Sequence, residues 1–139
     1  MWTTKFDYHI AVIGAGSGGL VVASGAASLG ARVVLFEGEK MGGDCLNAGC
    51  VPSKTFLKSA HLAESIRRSG EFALSAELAP VDLRKVMERV ASAVAEIEPH
   101  DSKERYEKLG VRVIQKRAKL VDPHTVAADG QRFTAKNIV

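Results

Sequence analysis

YHIAVIGAGSGGLVVASGAASLGARVVLFE, residues 8–37, decides the fold of this 139-residue chain. Tyr8 to Ile13 is a short apolar run of strand type that ends at glycine. Ser17 to Leu29 carries small and apolar residues at helical spacing and meets a helix stop at Gly30. Arg32 to Glu37 is β-branched and aromatic, a second strand. Strand, glycine turn, helix and strand in thirty residues make a βαβ unit, whose strands lie parallel and whose crossover is right-handed. The fold class that follows is α/β: a Rossmann-like domain with a parallel sheet and helices on its faces.

Within this unit Gly14, Gly16 and Gly19 fit G-x-G-x-x-G. Gly14 permits the tight turn, Gly16 lets backbone approach a pyrophosphate, and Gly19 lets the helix pack closely on the strand. Ser17 and Gly18 open the helix, where unpaired amide groups and the helix dipole favour an anion. The pattern follows a strand, opens a helix and precedes a strand ending in an acid, which is the context a dinucleotide site demands. Glu37 lies 23 residues after Gly14 and can accept hydrogen bonds from ribose hydroxyls.

Between Asp7 and Arg32 the chain has no Asp, Glu, Lys or Arg, yet it is not read as a membrane span or signal peptide. Six of the thirteen glycines fall there, and glycine is costly inside a helix. With no export signal, the expected compartment is cytoplasmic, where a lasting structural disulfide is unusual. The composition, 46% hydrophobic and 25% charged, is that of a globular protein. A net charge of +3, spread along the chain, gives nucleic-acid binding no electrostatic footprint.

Farther on, a helix is expected from about Ser53 to Arg68, broken at Ser69-Gly70, with a loop around Pro80. Leu83, Val86, Val90, Ala93, Val94 and Ile97 give a long helical pattern over 81–109, interrupted at Pro99 and closed at Gly110. Val111 to Ile114 reads as a strand. Short runs at Lys119–Val121, Thr125–Ala127 and Arg132–Phe133, with a hairpin signal at Asp129-Gly130, predict a small β-meander. Ile138-Val139 reads as the start of a separate apolar run, left with an open sheet edge through which the chain could self-associate.

GGDCLNAGCVPSK, residues 42–54, carries both cysteines. The C-x4-C step of Cys45 and Cys50 is neither a zinc knuckle nor a thioredoxin motif, and a plant-type iron–sulfur cluster needs four cysteines. No metal is expected. Two buried free thiols are the bland reading, and a redox-active disulfide is favoured. Positions i and i+5 diverge by about 140° on a regular helix, so the sulfurs meet only if the turn is distorted, and Gly49 makes distortion cheap. So small a loop stabilises by only about 2 kcal/mol, a weak reason for a structural bridge. A strained, reducible bond suits catalysis.

Taken together, G-x-G-x-x-G, Glu37 and GGDCLNAGCVPSK resemble the class I pyridine nucleotide–disulfide oxidoreductases, the family of lipoamide dehydrogenase, glutathione reductase and mercuric reductase. The VPSK ending is more like lipoamide dehydrogenase and mercuric reductase. The run Glu98-Pro99-His100-Asp101-Ser102, with Tyr106 and Leu109-Gly110-Val111, looks closest to the mercuric-reductase-like branch. The resemblance implies FAD as cofactor and NAD(P)H as co-substrate. Gly14, Gly16, Ser17, Gly18 and Gly19 would hold its pyrophosphate, with Gly43 and Asp44 beside it. Glu37 would meet the adenosine ribose and the Ala118 backbone the adenine. Cys50 would be the flavin-proximal thiol, Cys45 the outer thiol that exchanges with substrate, and Lys54 the cation near flavin N5. Asp44 departs from the family's usual threonine, so its charge either turns away from the phosphates or weakens the cofactor.

The resemblance further implies that residues 1–139 are the N-terminal part of an FAD-binding domain. It carries one dinucleotide fingerprint and no nicotinamide-binding or dimer-interface domain. The full-length enzyme would be a homodimer whose substrate is a small-molecule or protein-bound disulfide, or mercuric ion. His9, His61, His100 and His124 each stand alone and read as surface or core residues. Two other classes compete: a non-catalytic flavin- or nucleotide-binding module, and a dithiol redox or metal-handling protein.

Overall fold

The computed structural model describes residues 5–139. Strand β1 (Tyr8–Ile13), helix α1 (Ser17–Ser28) and strand β2 (Val33–Phe36) form the expected βαβ unit, with β1 and β2 parallel from Ile10↔Val33 to Ile13↔Phe36. Strand β3 (Val111–Ile114) adds in parallel to the far side of β2. Strands β4 (Ala118–Asp122), β5 (Thr125–Ala128) and β6 (Gln131–Ile138) make the antiparallel meander. Asp129 and Gly130, both at positive φ (51° and 75°), form the hairpin turn that the Asp-Gly pair signals.

The sheet order is β3-β2-β1-β6-β5-β4. This corrects the reading of Ile138-Val139 as the start of a separate run. Those residues are the end of an eight-residue strand that leaves β5 and pairs in parallel with β1, at Tyr8↔Ala135 and Ala11↔Ile138. The Ile13 amide donates to the Val139 carbonyl at 2.8 Å, and the Val139 amide to the Ala11 carbonyl at 2.9 Å. Lys136 and Asn137 interrupt the apolar pattern, so one strand reads as two fragments.

Two cores lie on the two faces of the sheet. On one face Val12, Val33, Leu35, Val111 and Val113 pack against Leu20 and Ala23 of α1 and Tyr106. The Tyr106 hydroxyl satisfies its donor on the Leu20 carbonyl at 3.2 Å. On the other face Ala11, Val34 and Phe36 meet Val126, Phe133 and Ala135 of the meander, with the Phe36 and Phe133 rings edge to face at 5.2 Å. Helices therefore line one face of the sheet, and the meander covers the other.

Helix α2 (Gly43–Asn47) and helix α3 (Cys50–Arg67) carry the cysteine segment. Helix α3 starts three residues before the expected Ser53, because Pro52 sits in its first turn, where the missing N–H would have no intrahelical partner. The 81–109 pattern divides as Pro99 requires: helix α4 (Leu83–Ile97), a single helical turn over Glu98–Asp101, and helix α5 (Lys103–Lys108). The Asp82 and Ser102 side chains cap α4 and α5 by accepting from the Arg84 and Arg105 amides. Helices α3 and α4 pack against each other, and an apolar groove of about 520 Å³ runs between them. Among the described residues, no helix is long and apolar enough to cross a membrane.

Candidate functional site

The glycine loop sits where the sheet order reverses, between β1 with its two parallel neighbours, β2 on one side and β6 on the other. Gly14 has φ +104°, a backbone that only glycine adopts without strain, and its amide donates to the Phe36 carbonyl at 2.8 Å. The glycines divide by what surrounds them. A Cβ on Gly19 would lie 1.9 Å from the Gly14 carbonyl oxygen, so this position admits no side chain. A Cβ on Gly14, Gly16 or Gly18 would meet nothing within 4 Å. The loop is thus tightly packed beneath and open above, the shape a pyrophosphate needs to reach backbone amides.

Glu37 is tied to that loop. One carboxylate oxygen accepts from the Ala15 amide and the other from the Glu39 amide, each at 2.7 Å. Each oxygen keeps lone-pair capacity for further donors. Ala118, the first residue of β4, lines the same shallow depression as Gly14 and Glu37, of about 290 Å³. There Arg117 pairs with Glu39 at 3.0 Å, and a Cβ on Gly38 would touch the Arg117 Cα at 3.4 Å.

The cysteine segment folds down onto the glycine loop. The Gly42 amide donates to the Ala15 carbonyl at 2.9 Å, and a Cβ on Gly43 would come within 2.8 Å of the Gly16 Cα. Gly42 and Gly43 both have positive φ, 86° and 55°, so the chain turns sharply into α2 at the fingerprint. Asn47, which the sequence reading passed over, locks this turn: its side-chain amide donates to the Met41 and Gly43 carbonyls at 3.1 and 2.9 Å. Asp44 is exposed and lines a second depression with Glu37, Glu39, Lys40 and Gly43, of about 620 Å³.

Helix α2 ends at Asn47 and α3 begins at Cys50, so Ala48 and Gly49 supply the break that brings positions i and i+5 together. Both cysteines are free thiols here, Cys45 half-buried and Cys50 exposed at the first position of α3. A side-chain hydrogen bond with Cys50 raises the Cys45 pKa above the ordinary thiol value, partial burial adds to this, and the Lys54 ammonium opposes it. Lys54 lies one turn beyond Cys50 on α3 and is exposed. The structure therefore gathers Gly14, Gly16, Gly19, Glu37, Gly43, Asp44 and Ala118 around the loop, and Cys45, Cys50 and Lys54 on the segment leading away from it. His9 and His124 are engaged elsewhere. The His9 Nδ1 accepts from the Arg32 amide at 2.8 Å, and the His124 ring stacks on Phe6 at 4.9 Å.

Residues 8–139 match the family model described as pyridine nucleotide-disulphide oxidoreductase. The chain is 36% identical over 135 residues to a glutathione reductase from Nostoc sp., covering 96% of this chain and 29% of that protein. It is 34% identical over 134 residues to a dihydrolipoyl dehydrogenase from Acholeplasma laidlawii, covering 96% of this chain and 40% of that protein. Against a mercuric reductase from Bacillus cereus the identity is 29% over 135 residues, 97% of this chain and 21% of that protein. The chain spans well under half the length of each of these relatives. Among solved structures, the HOCl-induced flavoprotein disulfide reductase RclA from Escherichia coli, in its Cu(II) complex, shares the fold with a TM-score of 0.71. Identity there is 23%, with 93% of this chain and 26% of that one covered.

Proposed function

The chain belongs to the pyridine nucleotide-disulphide oxidoreductase family, and from that premise we propose that it is the N-terminal part of an FAD-binding domain. The full-length enzyme, a homodimer, passes electrons from NAD(P)H through the flavin and a Cys45–Cys50 disulfide to a disulfide or to mercuric ion. The observation that carries the reading is the docking of the cysteine segment on the dinucleotide loop, with Gly43 against Gly16 and Gly42 bonded to Ala15. One loop binds phosphate, and the segment clasped to it carries the dithiol.

The residues fit FAD, because the loop is open above Gly14, Gly16 and Gly18 and closed below Gly19. Amide groups at the start of α1 would hold the pyrophosphate, Glu37 would accept from the ribose hydroxyls, and the Ala118 backbone would meet the adenine. When bound, FAD supplies two-electron transfer between the nicotinamide and the dithiol. The Cys45 thiol, donating to Cys50, holds its proton at neutral pH. That proton must leave before Cys45 Sγ attacks a substrate disulfide, breaking its S–S bond to give a mixed disulfide and a first substrate thiolate, which takes up a proton. Cys50 then attacks Cys45 Sγ, forming the Cys45–Cys50 bond and releasing the substrate thiol, which takes up a proton.

The test is made on the full-length protein. It should purify with a flavin spectrum, and Glu37→Ala should weaken FAD binding by about 1–3 kcal/mol. Cys45→Ser and Cys50→Ser should retain FAD and lose reduction of disulfides and mercuric ion. A folded protein that takes up no flavin, or one whose disulfide reduction survives Cys45→Ser, sinks the proposal.

A further inference from the structure

Away from the dinucleotide loop, the tertiary structure brings three arginines from distant parts of the sequence into one depression of about 420 Å³. Arg32 enters from the turn before β2, Arg112 from β3, and Arg132 from β6.

Two of these side chains are held in place. The Arg112 guanidinium lies over the Phe133 ring, 5.4 Å from its centroid, and donates to the Tyr8 hydroxyl at 2.8 Å. Arg32 donates to the Asp7 and Phe6 carbonyls at 2.9 and 3.2 Å. The Tyr8 hydroxyl is neutral, so it orients the Arg112 guanidinium without cancelling its charge. An exposed arginine ordinarily loses rotamer entropy on being fixed, and here much of that loss precedes any ligand.

The acid in the lining, Asp7, bonds to Thr134 through one carboxylate oxygen, and the Arg32 charge acts on it. Its carboxylate accepts from the Thr134 hydroxyl at 2.7 Å and the Thr134 amide at 3.2 Å. Elsewhere on the surface Arg67, Arg68, Arg84 and Arg117 each face a carboxylate within 4 Å. Among the described residues no carboxylate forms such a pair with Arg112 or Arg132. The Tyr8 hydroxyl, which accepts from Arg112, still has its own hydrogen to donate.

We infer that this depression is a second anion site, distinct from the dinucleotide loop, which takes a phosphoryl polyanion by charge-assisted and bidentate arginine contacts. The inference does not rest on the flavin reading, because none of its residues belongs to that site.

The probe is inorganic pyrophosphate, titrated into the isotopically labelled 139-residue chain and followed by two-dimensional NMR. Saturable shifts of the Arg112 and Arg132 side-chain Nε–H signals are expected. Arg132→Gln should weaken that binding about tenfold without altering the response of the Gly14–Gly19 amides, which reports separately on the dinucleotide loop. Arg112→Gln should do the same, and the spectrum of each variant shows that it is folded. Shifts reproduced by sodium chloride at equal ionic strength overturn the proposal, as does an affinity unchanged in both variants.

Discussion

Gly19 and Gly16 share a motif but answer to different constraints. A Cβ on Gly19 would overlap the Gly14 carbonyl, so Gly19→Ala must move backbone and should cost roughly 1–3 kcal/mol or more in urea unfolding. A Cβ on Gly16 meets nothing within 4 Å, so Gly16→Ala should unfold at nearly the wild-type urea concentration yet bind dinucleotide more weakly. Equal stability of the two variants would contradict this division. The thiols make a second residue-scale prediction. Because the hydrogen bond with Cys50 is the largest cause of the raised Cys45 pKa, Cys50→Ala should lower it. Alkylation of Cys45 by iodoacetamide should then rise at lower pH in Cys50→Ala than in the reduced wild type, read by peptide mass spectrometry across the alkaline range. An unchanged profile would mean that burial outweighs the hydrogen bond.

At the scale of elements, β6 does the joining. Its first half pairs with β5 and its second half with β1, and Asp7, just before β1, reaches Thr134 in its middle. That hydrogen bonding holds the Asp7 carboxyl below the ordinary carboxylate value, with the Arg32 charge a smaller contribution. A lowered folded-state pKa contributes stability above the unfolded value of about 3.8 and loses it as pH falls through the lower folded value. Asp7 is exposed, so solvent screening limits Asp7→Ala to under about 1 kcal/mol near neutral pH. The difference from wild type should shrink as pH drops below 4, measured by urea unfolding against pH. A constant difference would assign the loss to packing. The βαβ unit was legible because its apolar periods change at glycines, and α4 and α5 because Pro99 lies between them. The unity of β6 was not, since Lys136 and Asn137 break its pattern and only pairing on both flanks makes it one strand.

For the molecule as a whole, one dinucleotide fingerprint serves one nucleotide. The proposed FAD occupies it, and hydride transfer needs a nicotinamide stacked on the flavin as well. The 139-residue chain by itself, with FAD added, should therefore oxidise neither NADH nor NADPH with a disulfide or mercuric acceptor. Steady turnover on the order of 10 per second would refute the proposed mechanism. Sequence alone determined the α/β class, the glycine loop, the acid at Glu37 and the cysteine pair, because each is a local pattern whose meaning rests on near neighbours. Only the tertiary structure decided that Gly43 abuts Gly16, that Ala118 reaches the Glu37 end of the loop, and that Asn47 locks the turn into α2. It also drew Arg32, Arg112 and Arg132 into one depression. Those arrangements depend on strand order and register, which bring together residues far apart in the chain, such as Tyr8 and Ala135, and no short-range periodicity encodes them.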